Sequence, residues 1–263
     1  VTANFYIGEL HMSAFETVSF KAVVAKVSPE ELDEAFKEGI NVRLRDGKTL
    51  VTLKYADAAD SRFLAHLVQE QRLANDTTVV PGYIESAVVQ RDEQGRNFFE
   101  TYWDNKFAAN TPNAKTIKAV INGTIVGVSR FEAYASSDSA DIVAAIRASK
   151  DPSVKPSFDL KGVNKNVDLD AWLSETWGEG HQFYIDKDHH GKGLGDILFD
   201  CATVSLGKMG CNKMLINALS GNHAALSFYK HKGAICGAKI VEHNTRNNRV
   251  FTVPCNLLAV NCG

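Results

Sequence analysis

A chain of 263 residues, 44% hydrophobic and 23% charged, is long enough for one enlarged domain or for one domain with an added module. No stretch approaches the ~20 apolar residues of a membrane-spanning helix, and a formal net charge of −2 gives no global reason to expect a nucleic-acid partner. The cysteines, Cys201, Cys211, Cys236, Cys255 and Cys262, are odd in number and never form a C-x-x-C pair, which argues against a disulfide framework and a zinc site and fits a reducing, cytoplasmic setting.

Glu9, His11 and Glu16 interrupt the apolar positions at the start, so no secretory signal is expected there. Thr17–Val27 reads as a β-like run. Ser28-Pro29-Glu30-Glu31 then announces a short helix, with Ser28 as cap, Glu31 reaching back and Pro29 at the first helical position; the helix should end at Gly39. Val42–Arg45 and Thr49–Tyr55 alternate in polarity around Asp46-Gly47 and read as a hairpin. From Asp57 or Asp60, Phe63, Leu64, Leu67 and Val68 recur at helical spacing as far as about Ala74. Pro81-Gly82 breaks the chain. Tyr83–Phe107 combines helical spacing at Ile84, Val88 and Val89 with an aromatic cluster, Phe98, Phe99, Tyr102 and Trp103, suited to a helix packed into the core. Ala114–Ile121 and Thr124–Phe131 flank Asn122-Gly123, a strong hairpin signal.

Ser136–Thr176, rich in Ser, Asp, Lys and Pro, reads as an insertion with short helices over Asp141–Ser149 and Asp168–Ser174. Strands follow at Gln182–Ile185 and Lys213–Leu219, and helices at Gly193–Leu206 and Asn222–Lys232. Ile235–Val241 and Arg249–Pro254 close the chain as strands around a turn at Asn244–Asn248. Between Ser205 and Val250, Lys208, Lys213, Lys230, Lys232, Lys239, Arg246 and Arg249 face Glu242 alone, a local basic surface that suits solvent or a polyanionic ligand.

The segment Phe183-Tyr184-Ile185-Asp186-Lys187-Asp188-His189-His190-Gly191-Lys192-Gly193-Leu194-Gly195 passes from a β-like run through three glycines into a helix. Glycines there let backbone approach a ligand, and their N–H groups converge at the positive end of the helix dipole, as phosphate binding requires. Neither the P-loop pattern nor the Gly-x-Gly-x-x-Gly spacing of dinucleotide folds is present.

His190-Gly191-Lys192-Gly193-Leu194-Gly195 resembles the Arg/Gln-x-x-Gly-x-Gly/Ala motif of the GNAT family of N-acetyltransferases. Asn222-His223-Ala224-Ala225-Leu226-Ser227-Phe228-Tyr229-Lys230-His231-Lys232-Gly233-Ala234 resembles that family's Asn-x-x-Ala-x-x-x-Tyr-x-x-x-Gly-Phe segment. The match covers about Leu50–Ala74 and Ala114–Pro254, with His190 where Arg or Gln is usual and Ala234 where Phe is common. The resemblance implies an α/β (α+β) fold: a mixed, largely antiparallel twisted sheet flanked by helices on both faces. Residues 1–48 would be an N-terminal extension and residues 49–263 the acetyltransferase domain, with the insertion at about 136–176.

The resemblance further implies transfer of an acetyl group from acetyl-CoA to a primary amine by direct attack in a ternary complex. Backbone groups of Phe183, Tyr184 and Ile185 would meet the pantetheine arm. His190, Gly191, Lys192, Gly193, Leu194 and Gly195 would cradle the diphosphate, with Asn222 and Asn217 as further cofactor contacts. Tyr229 falls where the family's tyrosine protonates or stabilises the leaving thiolate. Glu179 and His181 are the candidates for the base that deprotonates the ammonium. Asp186 and Asp188 are expected to be structural. No metal is expected. The acceptor is a small-molecule or protein amine, with its pocket drawn from Tyr83–Phe107 and Ser136–Glu179. A non-catalytic acyl-CoA-binding or sensing module, an acyltransferase using a longer acyl chain, and a homodimer all stay open.

Overall fold

The computed structural model describes residues 20–76, 79–134, 158–168, 175–246 and 249–262. Its first element departs from the sequence expectation. Within the β-like run Thr17–Val27, Phe20–Val24 is a short helix, α1. Phe20 and Val24 stand four apart, so one helical turn places both on the same face, and both are buried in the core that also contains the helix after the glycine turn. The following helix, α2 (Pro29–Glu38), begins as its residues dictate: Ser28 Oγ accepts from the Glu31 N–H, and Glu31 accepts from the Ser28 N–H.

β1 (Ile40–Arg43) and β2 (Leu50–Tyr55) form the expected hairpin in register Arg43↔Leu50. A short 3-10 turn capped by Asp57 leads into α3 (Ser61–Asp76), then α4 (Tyr83–Val89) and α5 (Phe98–Ala109). Phe99 and Trp103 of α5 are buried, whereas Phe98 is exposed, so the aromatic cluster reaches the core through Phe99 and Trp103. β3 (Ala114–Ile121) and β4 (Thr124–Ala133) turn through Asn122 and Gly123, both at positive φ.

β5 (Phe158–Val163) falls within the stretch expected to be an insertion, whose expected helix at Asp141–Ser149 lies outside the described residues, as does the one at Asp168–Ser174 apart from Asp168. β6 (Trp177–Ile185) starts five residues before the expected strand. Then come α6 (Leu194–Lys208), β7 (Lys213–Leu219), α7 (His223–His231), β8 (Ile235–Arg246) and β9 (Arg249–Asn261). β8 continues through Asn244–Arg246, and the 247–248 tip of its hairpin with β9 lies outside the described residues.

Among the described residues nine strands form one sheet, ordered β1-β2-β3-β4-β6-β7-β9-β8-β5. Every neighbouring pair is antiparallel except β6 and β7. Strand alternation sends side chains into two cores. One core packs α1, α2, α6 and Tyr229 of α7 against the sheet, and the other packs α3, α4 and α5. The fold is thus α/β, with helices on both faces. The two edges of the sheet are β1 and β5.

Candidate functional site

A fork in the sheet creates the site. β6 pairs with β7 only from Trp177↔Lys213 to Gly180↔Ile216, yet it stays paired with β4 as far as Gly127↔Ile185. Arg130 opposes Gln182 while Phe131 opposes Gly180, so His181 is an extra residue on β6. Such a bulge bends its strand. Beyond it, the edge of Gln182–Ile185 that faces away from β4 has no strand partner among the described residues. The opening holds a cleft of about 330 Å³ lined by Phe183, Tyr184, Ile185, the glycine turn, Asn222 and Tyr229. A second chamber of about 220 Å³ shares Phe183, Tyr184, Asn222, Ala225 and Tyr229 with it and adds His181, Asn217, Arg72 and Asp76.

The glycine turn is braced by its own side chains. Asp186 accepts from the Asp188 N–H at 3.0 Å. His190 Nε2 lies 2.9 Å from the Ile185 carbonyl, so this nitrogen carries the proton, and Lys192 Nζ donates to the Asp188 carbonyl at 2.9 Å. Gly191 (φ 74°) and Gly193 (φ 88°) occupy the left-handed region that favours glycine. Among the described residues, the N–H groups of Gly191, Lys192, Gly193, Leu194 and Gly195 donate to no protein acceptor. They gather at the head of α6, a 15-residue helix whose dipole favours an anion there. Asp186 braces the turn through its side chain, and Asp188 through its backbone N–H and carbonyl. The Leu194 side chain is buried in the core, leaving only its N–H for the turn. Asn217 lines the second chamber and not the larger cleft.

One carboxylate stands at the mouth of this turn. Asp196, in the first turn of α6, lies 2.8 Å from Arg45 Nη2 and 3.4 Å from Lys232 Nζ. Lys232 is held more closely by Asp200, at 2.8 Å. Arg45 comes from the β1–β2 turn, and its backbone N–H donates to the Lys192 carbonyl at 3.0 Å.

Tyr229 sits where the two spaces meet. Its ring packs among Phe228, Phe199 and Phe183, and its hydroxyl has no hydrogen-bond partner among the described residues. Burial disfavours the phenolate and pushes this phenol well above its usual value. Asn222 caps α7 by accepting from the Ala225 N–H at 3.1 Å and lines both spaces.

Glu179 and His181 come together: His181 Nδ1 lies 3.6 Å from Glu179 Oε1. Two residues that sequence reasoning missed complete the group. Glu132 Oε2 is 3.3 Å from His181 Nε2, and the Tyr134 hydroxyl donates to Glu179 Oε2 at 2.5 Å. The His181 contact holds the Glu132 carboxyl below the usual range, against an opposing push from partial burial. His181 faces the second chamber, whereas Glu179 does not line it. Alternation along β4 puts Glu132 on the same face as Arg130, a cue present in the sequence; its meeting with His181 depends on the bulge, which is not.

The profile of the Acetyltransferase (GNAT) family matches residues 87–234, more than half of the chain, and the chain belongs to that family. Among solved structures it is similar to the PaiA N-acetyltransferase from Thermoplasma acidophilum in complex with coenzyme A, at 13% identity over 80% of this chain and 98% of that one, with a TM-score of 0.50. It is also similar to a probable acetyltransferase from Staphylococcus epidermidis, at 9% identity over 80% and 98% of the two chains, with a TM-score of 0.51. At these identities the likeness is one of fold. No curated protein matches the sequence. Among the described residues no helix is long and apolar enough to cross a membrane.

Proposed function

We propose that this protein transfers an acetyl group from acetyl-CoA to a primary amine on a small molecule or a protein. The observation that carries the reading is the set of undonated N–H groups over Gly191–Gly195 at the head of α6, opening on the same cleft as Tyr229. Coenzyme A fits this arrangement: the turn offers donors to its diphosphate, and the edge of Phe183–Ile185 that no described strand covers offers a strand-like partner to the amides of its pantetheine arm.

When bound, acetyl-CoA supplies an activated acyl group on a thioester, so the protein needs only to position, deprotonate and stabilise. The second chamber admits the amine. His181, flanked by Glu132 and Glu179, accepts a proton from the incoming ammonium, work that a positioned imidazole can do. The Tyr229 hydroxyl, with no hydrogen-bond partner to release among the described residues, gives its hydrogen bond to the sulfur as negative charge develops there.

Calorimetric titration with acetyl-CoA tests the reading first. Binding that is competed by coenzyme A supports it, and absence of binding overturns it. Release of free thiol in the presence of a panel of amines, with acetylated product identified by mass, tests the transfer.

A further inference from the structure

We propose that Arg45, contributed by the N-terminal hairpin outside the family match, is a diphosphate-binding residue of the acyl-CoA site. The inference rests on the function proposed above and extends it to a segment that the two sequence motifs do not include.

The hairpin turn is attached to the glycine turn by the bond from the Arg45 N–H to the Lys192 carbonyl. That anchor carries the Arg45 side chain across Gly193, where an added Cβ would come within 2.9 Å of Cγ and 3.1 Å of Cδ and Nε. Arg45 therefore lines the larger cleft together with Gly191, Gly193 and Gly195. Nη2 holds Asp196, while among the described residues Nε and Nη1 donate to nothing. A guanidinium presents several donors in a planar fork, so one edge can hold a carboxylate while another meets a phosphate.

Charge makes the arrangement necessary. Asp196 lies in the first helical turn, close to where the undonated N–H groups would receive a dianionic diphosphate, and an unmasked carboxylate there would repel it. Lys232 does not supply the full remedy, since it is the closer partner of Asp200. Arg45 masks Asp196 and keeps Nε and Nη1 as donors at the lip of the cleft. Because its side chain is 68% exposed, the contribution is screened by salt.

The test is calorimetry of coenzyme A and dephospho-coenzyme A on the full chain. Arg45→Ala should weaken both ligands by about tenfold at low salt, about 1.4 kcal/mol, and flatten the salt dependence of affinity. Arg45→Lys should fall between, keeping the charge without the fork. Asp196→Asn breaks the same ion pair but removes the repelling carboxylate, so it should leave binding equal or tighter; weakening comparable to Arg45→Ala would mean that the pair merely supports the turn and would overturn the proposal. A loss confined to coenzyme A would move the contact to the 3′-phosphate and overturn the diphosphate assignment. Unchanged affinity in Arg45→Ala, with binding intact in the unaltered protein, rejects Arg45 alone. Absence of binding in the unaltered protein rejects the underlying function.

Discussion

Replacing Tyr229 by Phe separates the chemical role of this residue from its structural one. The ring stays among Phe228, Phe199 and Phe183, at centroid distances of 5.5, 6.0 and 6.2 Å. The deleted hydroxyl makes no hydrogen bond to the described protein, so stability should change by less than about 0.5 kcal/mol. The effect on turnover follows from relative acidity. A thiol ionises near 8.5 and an ordinary phenol near 10, and burial raises this phenol further. Full proton transfer to the thiolate is then uphill by at least about 2 kcal/mol, so the role proposed for Tyr229 is that of a hydrogen-bond donor to developing charge. Such a bond contributes about 1.5–3 kcal/mol, or roughly 10- to 150-fold in kcat. Thiol release with saturating acetyl-CoA and the best amine of the panel should show that loss, with acetyl-CoA affinity unchanged. Wild-type kcat in Tyr229→Phe would refute the assignment. The raised phenol also predicts a direction for stability: the folded state retains the proton longer than the unfolded chain, so stability should decline as pH rises above about 10.

Three further outcomes are expected. His181→Asn should lower kcat more than Glu179→Gln, because only His181 lines the second chamber; the reverse order in the same assay would assign the base to Glu179. Gly191→Ala has open space for its Cβ and φ of 74°, so it isolates backbone strain of about 1–2 kcal/mol; calorimetry should show weakened coenzyme A binding, and unchanged affinity would discount the turn as a donor array. Asp33 of α2 is raised by burial but drawn down overall to about 2 by Lys115, Lys37 and the Tyr55 hydroxyl. Asp33→Asn should therefore cost about 1 kcal/mol at neutral pH after solvent screening, and the difference in denaturant midpoint should vanish as pH falls from about 4 toward 2.

What could be read in the sequence was local. The Ser28 cap, the Asn122-Gly123 turn and the glycines before α6 declare themselves within a few residues, because capping and positive φ are short-range demands. The glycine turn was legible for that reason. Contacts between distant segments were not: Arg45 meets Asp196 across 151 positions, and Glu132 meets His181 through a bulge that belongs to the pairing of two strands. The Thr17–Val27 run was misread because alternation and a single helical turn share positions such as Phe20 and Val24, and packing in the core decides between them.

The additional residue at 181 also sets the phase of everything after it on β6. Phe183 and Ile185 turn toward α6, and Tyr184 toward α3. Deleting one residue at this point would exchange those directions, sending Phe183 out of its aromatic stack with Phe228 and bringing Tyr184 in against the helix. Substitutions along β6 can be absorbed one side chain at a time; a change in its length inverts the strand.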